Sequence, residues 1–355
     1  MQKTLSIDGY SIGTGCPCFV IAEAGVNHNG ELDKALALVD AAKEARADAV
    51  KFQTFCAERL VCKDAPKARY QMETTGAGES QCEMLKRLQL SPDDHRRLLE
   101  HCREIGILFL SSPFDEQDAD FLESLGVPAY KIPSGELTNL PYLAHIARKG
   151  KPMIVSTGMA TLGEVETAIE TILATGHSDF ALLHCVSNYP AVPQDVNLRA
   201  MLTLQQAFGV PVGYSDHVRS NEVSIAAVAL GACIIEKHFT LDRDLPGPDH
   251  RASLEPHELV TLVKAIRNVE KALGTGCKRP AASEAETASV ARKSLIAACD
   301  IPAGAPITEA MLTVRRPGTG LPPVMRPYII GRRLRTDFPG GLLLRGSLVK
   351  LEDLA

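Results

Sequence analysis

The sequence predicts an α/β protein, a (β/α)8 TIM barrel followed by a small β-rich domain. Short runs rich in β-branched and other apolar residues alternate with amphipathic helical stretches from Cys18 to about Leu273, which is the mark of repeated βα units. Eight such runs can be counted, the number that closes a barrel. Beyond residue 290 the pattern changes to short strands separated by Pro and Gly turns. An open doubly wound sheet would show the same alternation, and the count favours the barrel. The expected boundaries are 1–273 for the barrel, 274–290 for a linker and 291–355 for the small domain.

The runs, in order, are "CFVIAEAG", "DAVKFQTF", "ILFLSSPF", "PAYKIPSG", "PMIVSTG", "FALLHCVSN", "VPVGYSD" and "CIIEKHFT". Helical stretches such as "DKALALVDAAKEAR", "SPDDHRRLLEHCREIG" and "EPHELVTLVKAIRNVEKALG" separate them. Several open on Asp, Ser or Pro and close on Gly, the expected start and stop signals. The connection from Cys56 to Leu90 is longer than the rest and reads as an elaborated loop after the second strand. "GTGCKRPAASEAETASVAR", Gly274 to Arg292, is small, polar and without apolar periodicity, as a linker is.

With 355 residues and 45% hydrophobic content the chain can bury one large core and a smaller one. No apolar run approaches the roughly 18 residues of a membrane span, and no secretory leader opens the chain. A cytoplasmic protein is expected. The ten cysteines form no CxxC pair and sit mostly in apolar runs, so they read as reduced core residues. Net charge is -5, but residues 291–350 hold ten Lys or Arg, including Arg316 and Lys350, against three acidic residues. Without interleaved aromatics this basic segment suits an acidic partner surface or an anionic ligand better than nucleic acid.

Barrel enzymes build their sites at the carboxyl ends of the strands. Those ends carry Glu23, Lys51, Ser112, Lys131 with Ser134, Ser156, Ser187 with Asn188, Ser215 with His217, and His238. Each alone has a structural explanation: a lysine snorkels, a serine caps the next helix, a histidine satisfies a core. Together they do not, because several buried charges are too costly without partners or a ligand of opposite sign. Two lysines and several hydroxyls suit a phosphate or carboxylate. His217 and His238 end adjacent strands and are placed to share a metal. With two protein ligands visible, an open site for Mn2+, or for Mg2+ or Co2+, fits better than structural zinc. Glu236 shares a strand face with His238 as a site acid or its supporting partner, whereas Lys237 faces the helix layer and snorkels. Asp249 and His250 of "LPGPDHRAS" are placed to reach the same mouth.

At these residues the sequence resembles the sialic acid synthase family. The matching stretches are "IAEAGVNHNG", "AVKFQTF", "SSPFD", "YKIPSGELTN", "KPMIVSTGMA", "LLHCVSNYP", "GYSDH", "IIEKHFTLDRDLPGPDH" and "RRPGTG", in order across essentially the whole chain. The resemblance implies condensation of phosphoenolpyruvate with an N-acetylmannosamine-type aldose. It implies an antifreeze-like (SAF) small domain and a swapped homodimer in which each small domain covers its partner's barrel mouth. It further implies that Lys51, Ser112, Lys131, Ser134, Ser156 and Ser215 hold phosphoenolpyruvate, with either Ser187 or Asn188 joining them. His217 and His238 would bind Mn2+. Glu23, Glu136, Tyr189 and Asp249 would meet the sugar or move protons, and Arg316 would reach its N-acyl group from the other subunit. The loop "YQMETTGAGESQCEMLKRLQLS" resembles the branch that makes N-acetylneuraminic or diacetylated legionaminic acid, and the sequence does not separate those two. Rival readings are a Schiff-base pyruvate aldolase using Lys131, a phosphoenolpyruvate condensing enzyme for another aldose, and a carbohydrate- or ice-binding protein without activity.

Overall fold

The structure, a computed structural model, describes residues 4–76 and 78–346. The last nine residues of the expected small domain, Lys350 among them, lie outside the described residues. The chain divides into two units, Met1–Gly274 and Thr275–Ala355.

The first unit opens with an antiparallel hairpin, β1 (Leu5–Ile7) and β2 (Tyr10–Ile12), which the βα pattern did not signal. Eight strands follow: β3 (Phe19–Gly25), β4 (Ala49–Thr54), β5 (Leu108–Pro113), β6 (Tyr130–Ile132), β7 (Met153–Ser156), β8 (Phe180–Cys185), β9 (Val212–Asp216) and β10 (Ile234–His238). They form one sheet in the order β5-β4-β3-β10-β9-β8-β7-β6 with each neighbouring pair in that order parallel. The two end strands, β5 and β6, are also neighbours in space, so the sheet curls into the barrel the sequence predicted. Strand β10 pairs with β3, the step that brings the last strand back to the first.

Two apolar layers hold this arrangement. Outward residues such as Val20, Val50, Phe109 and Ile235 pack against helices that include Leu32–Glu44, Pro92–Ile105 and Pro256–Leu273. Inward residues Phe19, Ile21, Leu110, Ile154, Leu183 and Ile234 fill the lower barrel, and Leu5, Ile7 and Ile12 of the hairpin plug its floor. Removing one such side chain, as in Leu110→Ala, costs about 2–5 kcal/mol because the packed surroundings cannot collapse onto the void. Gly213 marks a tight point between β9 and β10. A Cβ there would lie 2.4 Å from the carbonyl oxygen of Ile234.

In the second unit β11 (Ser294–Ala297) and β12 (Leu312–Arg315) pair antiparallel around a core of Leu295, Ile301, Ile307, Leu312, Leu334 and Leu344. Part of the expected linker, Ala285–Ala291, is helical. Its sequence "AETASVA" has the propensity for a helix but no apolar face, which is why periodicity gave no sign of it.

Candidate active site

Strand alternation builds the site. Above the apolar floor, the next inward position is polar on seven of the eight strands and Cys185 on β8: Glu23, Lys51, Ser112, Lys131, Ser156, Ser215 and Glu236 are all buried and all line one cavity of about 460 Å3. Because the period is two, a strand that places Ile21 inward must also place Glu23 inward. The cross-strand register sets Glu23 beside Lys51 and Glu236 beside Ser215.

The charges in this layer pair with one another. Lys51 Nζ lies 2.6 Å from Glu23 Oε2 and 3.9 Å from Glu236 Oε2, and it donates to Ser112 Oγ at 3.1 Å. Lys131 Nζ is 3.2 Å from Glu236 Oε1, which also accepts from Ser215 Oγ at 2.9 Å. Burial pushes the Glu23 carboxyl up and Lys51 pulls it back. Burial acts on Glu236 in the same sense, yet Lys131 and Lys51 together draw that carboxyl below its usual range. Ser156 Oγ is buried with no hydrogen-bond partner among the described residues, and Ser156 lines the cavity. Ser134 Oγ accepts from Gly158 N–H and contacts Cys185 Sγ, each at 3.1 Å. Gly158 is packed so closely that a Cβ would meet Ser187 Oγ at 2.3 Å.

His217 and His238 stand together, with ring centroids 5.4 Å apart. His217 Nδ1 donates to the carbonyl oxygen of Val186 at 2.6 Å, which places its lone pair on Nε2. His238 Nδ1 is buried without a partner. Burial lowers the pKa of His217 to about 4 and that of His238 well below the ordinary value. Both rings are therefore neutral at pH 7, the form that ligates a metal. Among the described residues no group of three or more His, Cys, Asp or Glu is disposed to hold a metal. The donor set fits a divalent ion on two imidazoles whose other positions go to water and substrate oxygens. Tyr189 packs on both rings at 4.2 and 5.5 Å, and Tyr70 packs on Tyr189 at 5.2 Å.

The outer cavity has a different character. Asp249 lines it, and burial alone raises that carboxyl to about 6. The elaborated connection after β4 folds into helices Ala57–Leu60, Arg69–Thr75 and Gln81–Leu88. It contributes Met84, Leu85 and Leu88, which with Val26 and Phe114 give the cavity one apolar wall. Thr74 Oγ1 donates to Pro248 O at 3.4 Å, joining this segment to the loop that carries Asp249.

The predicted residues Ser134, Ser187 and Tyr189 thus line the cavity along with the buried layer, the histidines and Asp249. Three residues of the first unit do not meet there. Glu136 ends a 3-10 turn, Ser134–Glu136, which rotates it away from Ser134, and its carboxylate accepts from Asn139 instead. Asn188 is exposed outside the lining, so of the two residues left open Ser187 is the one at the cavity. His250 is fully buried against Thr240 and Asn29 and holds the loop. Arg316 is exposed in the second unit. Lys237 faces outward as expected but does not snorkel: it is 1% exposed, and its ammonium meets Asp216 Oδ2 at 2.8 Å. Sequence reasoning missed Gln53, which donates to Glu23 Oε1 at 3.3 Å. It stands two residues beyond Lys51, so alternation would have found it. Tyr70, Met84, Leu85 and Leu88 come from the elaborated connection after β4, whose length was readable but whose cavity-facing residues were not.

The fold and the cavity are those of an eight-stranded α/β barrel whose mouth is lined by lysines and serines beside two neutral imidazoles. The sequence matches the NeuB family over residues 38–278 and the SAF domain over residues 292–350. The chain belongs to this sialic acid synthase family and is an enzyme of that type. It is 51% identical over 336 residues to the N,N'-diacetyllegionaminic acid synthase of Legionella pneumophila, covering 94% of each chain. With the N,N'-diacetyllegionaminic acid synthase of Campylobacter jejuni the identity is 47%, covering 92% of this chain and 98% of that one. The crystal structure of N-acetylneuraminic acid synthetase from Leptospira borgpetersenii, in complex with citrate, superposes with a TM-score of 0.71 at 38% identity, covering 81% and 95% of the two chains. No helix among the described residues is long and apolar enough to cross a membrane.

Proposed function

We propose that this protein condenses phosphoenolpyruvate with 2,4-diacetamido-2,4,6-trideoxymannose and water, releasing phosphate and N,N'-diacetyllegionaminate. The observation that carries the reading is the buried layer in which Lys51 and Lys131 flank Glu236 below a hydroxyl-rich mouth. It offers point charges and donors to a phosphate and a carboxylate at once. The apolar wall of Val26, Met84, Leu85, Leu88 and Phe114 favours a sugar carrying methyl groups over the more hydroxylated N-acetylmannosamine. The two legionaminic acid synthases among the relatives support the same choice.

In this reading Lys51, Lys131, Ser112, Ser134, Ser156, Ser187 and Ser215 orient phosphoenolpyruvate, and His217 and His238 hold a divalent ion, Mn2+ before Mg2+ or Co2+. When bound, that ion supplies a Lewis acid for the aldehyde oxygen of the open-chain sugar. Carbon C3 of the enol attacks the aldehyde carbon, forming the new C–C bond as the C=O π pair moves onto the aldehyde oxygen, which takes up a proton to become a hydroxyl, and leaving positive character at C2. Asp249 takes the proton of the water that adds at C2. The hemiketal phosphate then loses phosphate by cleavage of its C2–O bond, leaving the keto acid. Asp249 is favoured over Glu23 for this step because Glu23 already holds Lys51 and Gln53, whereas among the described residues no cation pairs with Asp249. The homodimer, with Arg316 supplied from a partner's SAF domain, belongs to the same proposal, as does a cytoplasmic location. A Schiff-base role for Lys131 is disfavoured by its ion pair with Glu236, which occupies the ammonium.

The test is phosphate release from phosphoenolpyruvate and Mn2+, with the trideoxy sugar and N-acetylmannosamine in parallel, each with and without EDTA. Release with the trideoxy sugar, abolished by EDTA, is the expected result. Release with N-acetylmannosamine alone would move the substrate, and silence with both would overturn the reaction.

A further inference from the structure

Between Ser215 and His217 stands Asp216, and between Glu236 and His238 stands Lys237; the two are direct cross-strand partners on β9 and β10. Strand alternation turns them to the outer face, away from the cavity, where both are 1% exposed. The Lys237 ammonium donates to Asp216 Oδ2 at 2.8 Å, to Ser220 O at 3.0 Å and to Val218 O, so its three protons are all used. Asp216 Oδ1 accepts from Val218 N at 2.8 Å and from Tyr214 OH at 3.2 Å, and Oδ2 accepts also from Ser224 Oγ.

A buried ion pair is a poor route to stability, since apolar residues of the same volume commonly serve as well. What this pair does instead is geometric. It ties residues 218–220, the backbone immediately after His217, to the strand that carries His238. Among the described residues, Lys237 is the side chain of β10 that bonds this segment from the outer face.

We propose that the Asp216–Lys237 pair is a positioning device that fixes His217 relative to His238 and so sets the metal affinity of the site. This rests on the metal reading of the two imidazoles given above. Neither residue touches substrate or metal. Their effect is carried by the backbone on either side of them.

The test uses the full chain and Mn2+ alone, followed by electron paramagnetic resonance of free Mn2+, with phosphoenolpyruvate affinity measured separately without metal. The variant is Asp216→Asn with Lys237→Met, which removes both charges together and leaves no lone buried ion. The expected result is Mn2+ binding weakened by about 10- to 100-fold, with unchanged circular dichroism and with phosphoenolpyruvate affinity retained through Lys51 and Lys131. A folded double variant with parental Mn2+ affinity overturns the inference. Should the double variant not fold, Ser224→Ala decides: it trims one hydrogen bond to Asp216, and a weakening of about threefold is expected, against none if the inference is wrong. Failure of the parent protein itself to bind Mn2+ would instead overturn the metal reading.

Discussion

Lys51 Nζ sits 2.6 Å from Glu23 Oε2 in a layer closed to solvent, each side chain no more than 3% exposed. The pair is the direct consequence of register, since β3 and β4 align these two residues side by side. Lys51→Met leaves a buried carboxylate without its cation, and removing one partner of such a pair costs about 3–5 kcal/mol. A loss of roughly 100- to 1,000-fold in kcat/KM for phosphoenolpyruvate is expected. Steady-state kinetics checks it, with thermal unfolding as the control for folding.

His217→Asn and His238→Asn each remove one of two imidazole donors. Both variants are expected to lose measurable Mn2+ binding while retaining phosphoenolpyruvate binding in the absence of metal. Isothermal titration with each ligand separately reads the two effects. Loss of both would mean that the histidines hold the cavity together rather than a metal.

Asp249 gives the pH dependence a sign. Burial raises its carboxyl to about 6, so the ionised form that accepts a proton dominates above that pH and disappears below it. The rate is expected to fall with decreasing pH through about 6. Asp249→Asn should lower kcat by about 100-fold or more. A parental profile flat from pH 5 to 8 would remove Asp249 from this role.

Stability carries a separate signature. His28 is buried beside Phe52, and burial lowers its pKa to about 3. Between that value and the ordinary 6.5 the unfolded chain binds a proton that the folded chain does not. The contribution is therefore complete above about pH 6.5 and is lost as the pH falls toward 3, at about 1.4 kcal/mol per unit. His28→Asn should flatten the fall of unfolding free energy between pH 7 and 5, measured by urea denaturation at fixed temperature.

Sugar choice is expected to follow the apolar wall. Leu85→Gln puts an amide where Leu85 now packs with Met84 and Phe114. The ratio of kcat/KM for the trideoxy sugar over N-acetylmannosamine should drop by about 10-fold or more, the worth of a methyl contact in an apolar pocket. An unchanged ratio would place the methyl groups elsewhere.

Much of this was legible in the sequence, and the limit has a physical shape. Wherever strand periodicity governs orientation, residues such as Lys51, Ser112, Lys131 and His238 could be assigned to the mouth from spacing alone. Gln53 obeyed the same rule. Where the chain turns, periodicity ends: Glu136 rotates out on a 3-10 turn, and His250 is drawn into a loop-holding contact. Helix Gln81–Leu88 buries Met84 and Leu88 against Val26 and Phe55, a contact between distant parts of the chain that no local pattern encodes. Lys237 shows the converse. Its outward direction was readable, but its partner Asp216 depended on knowing that β9 and β10 are adjacent and in register.

The most direct test of the reaction is to run it in oxygen-18 water with phosphoenolpyruvate, Mn2+ and 2,4-diacetamido-2,4,6-trideoxymannose, and to weigh both products by mass spectrometry. The account predicts a new species at least two mass units heavier than N,N'-diacetyllegionaminate, its C2 oxygen taken from the water, and phosphate that carries no label, because the water attacks carbon. Labelled phosphate, or phosphate without the nine-carbon acid, would contradict it.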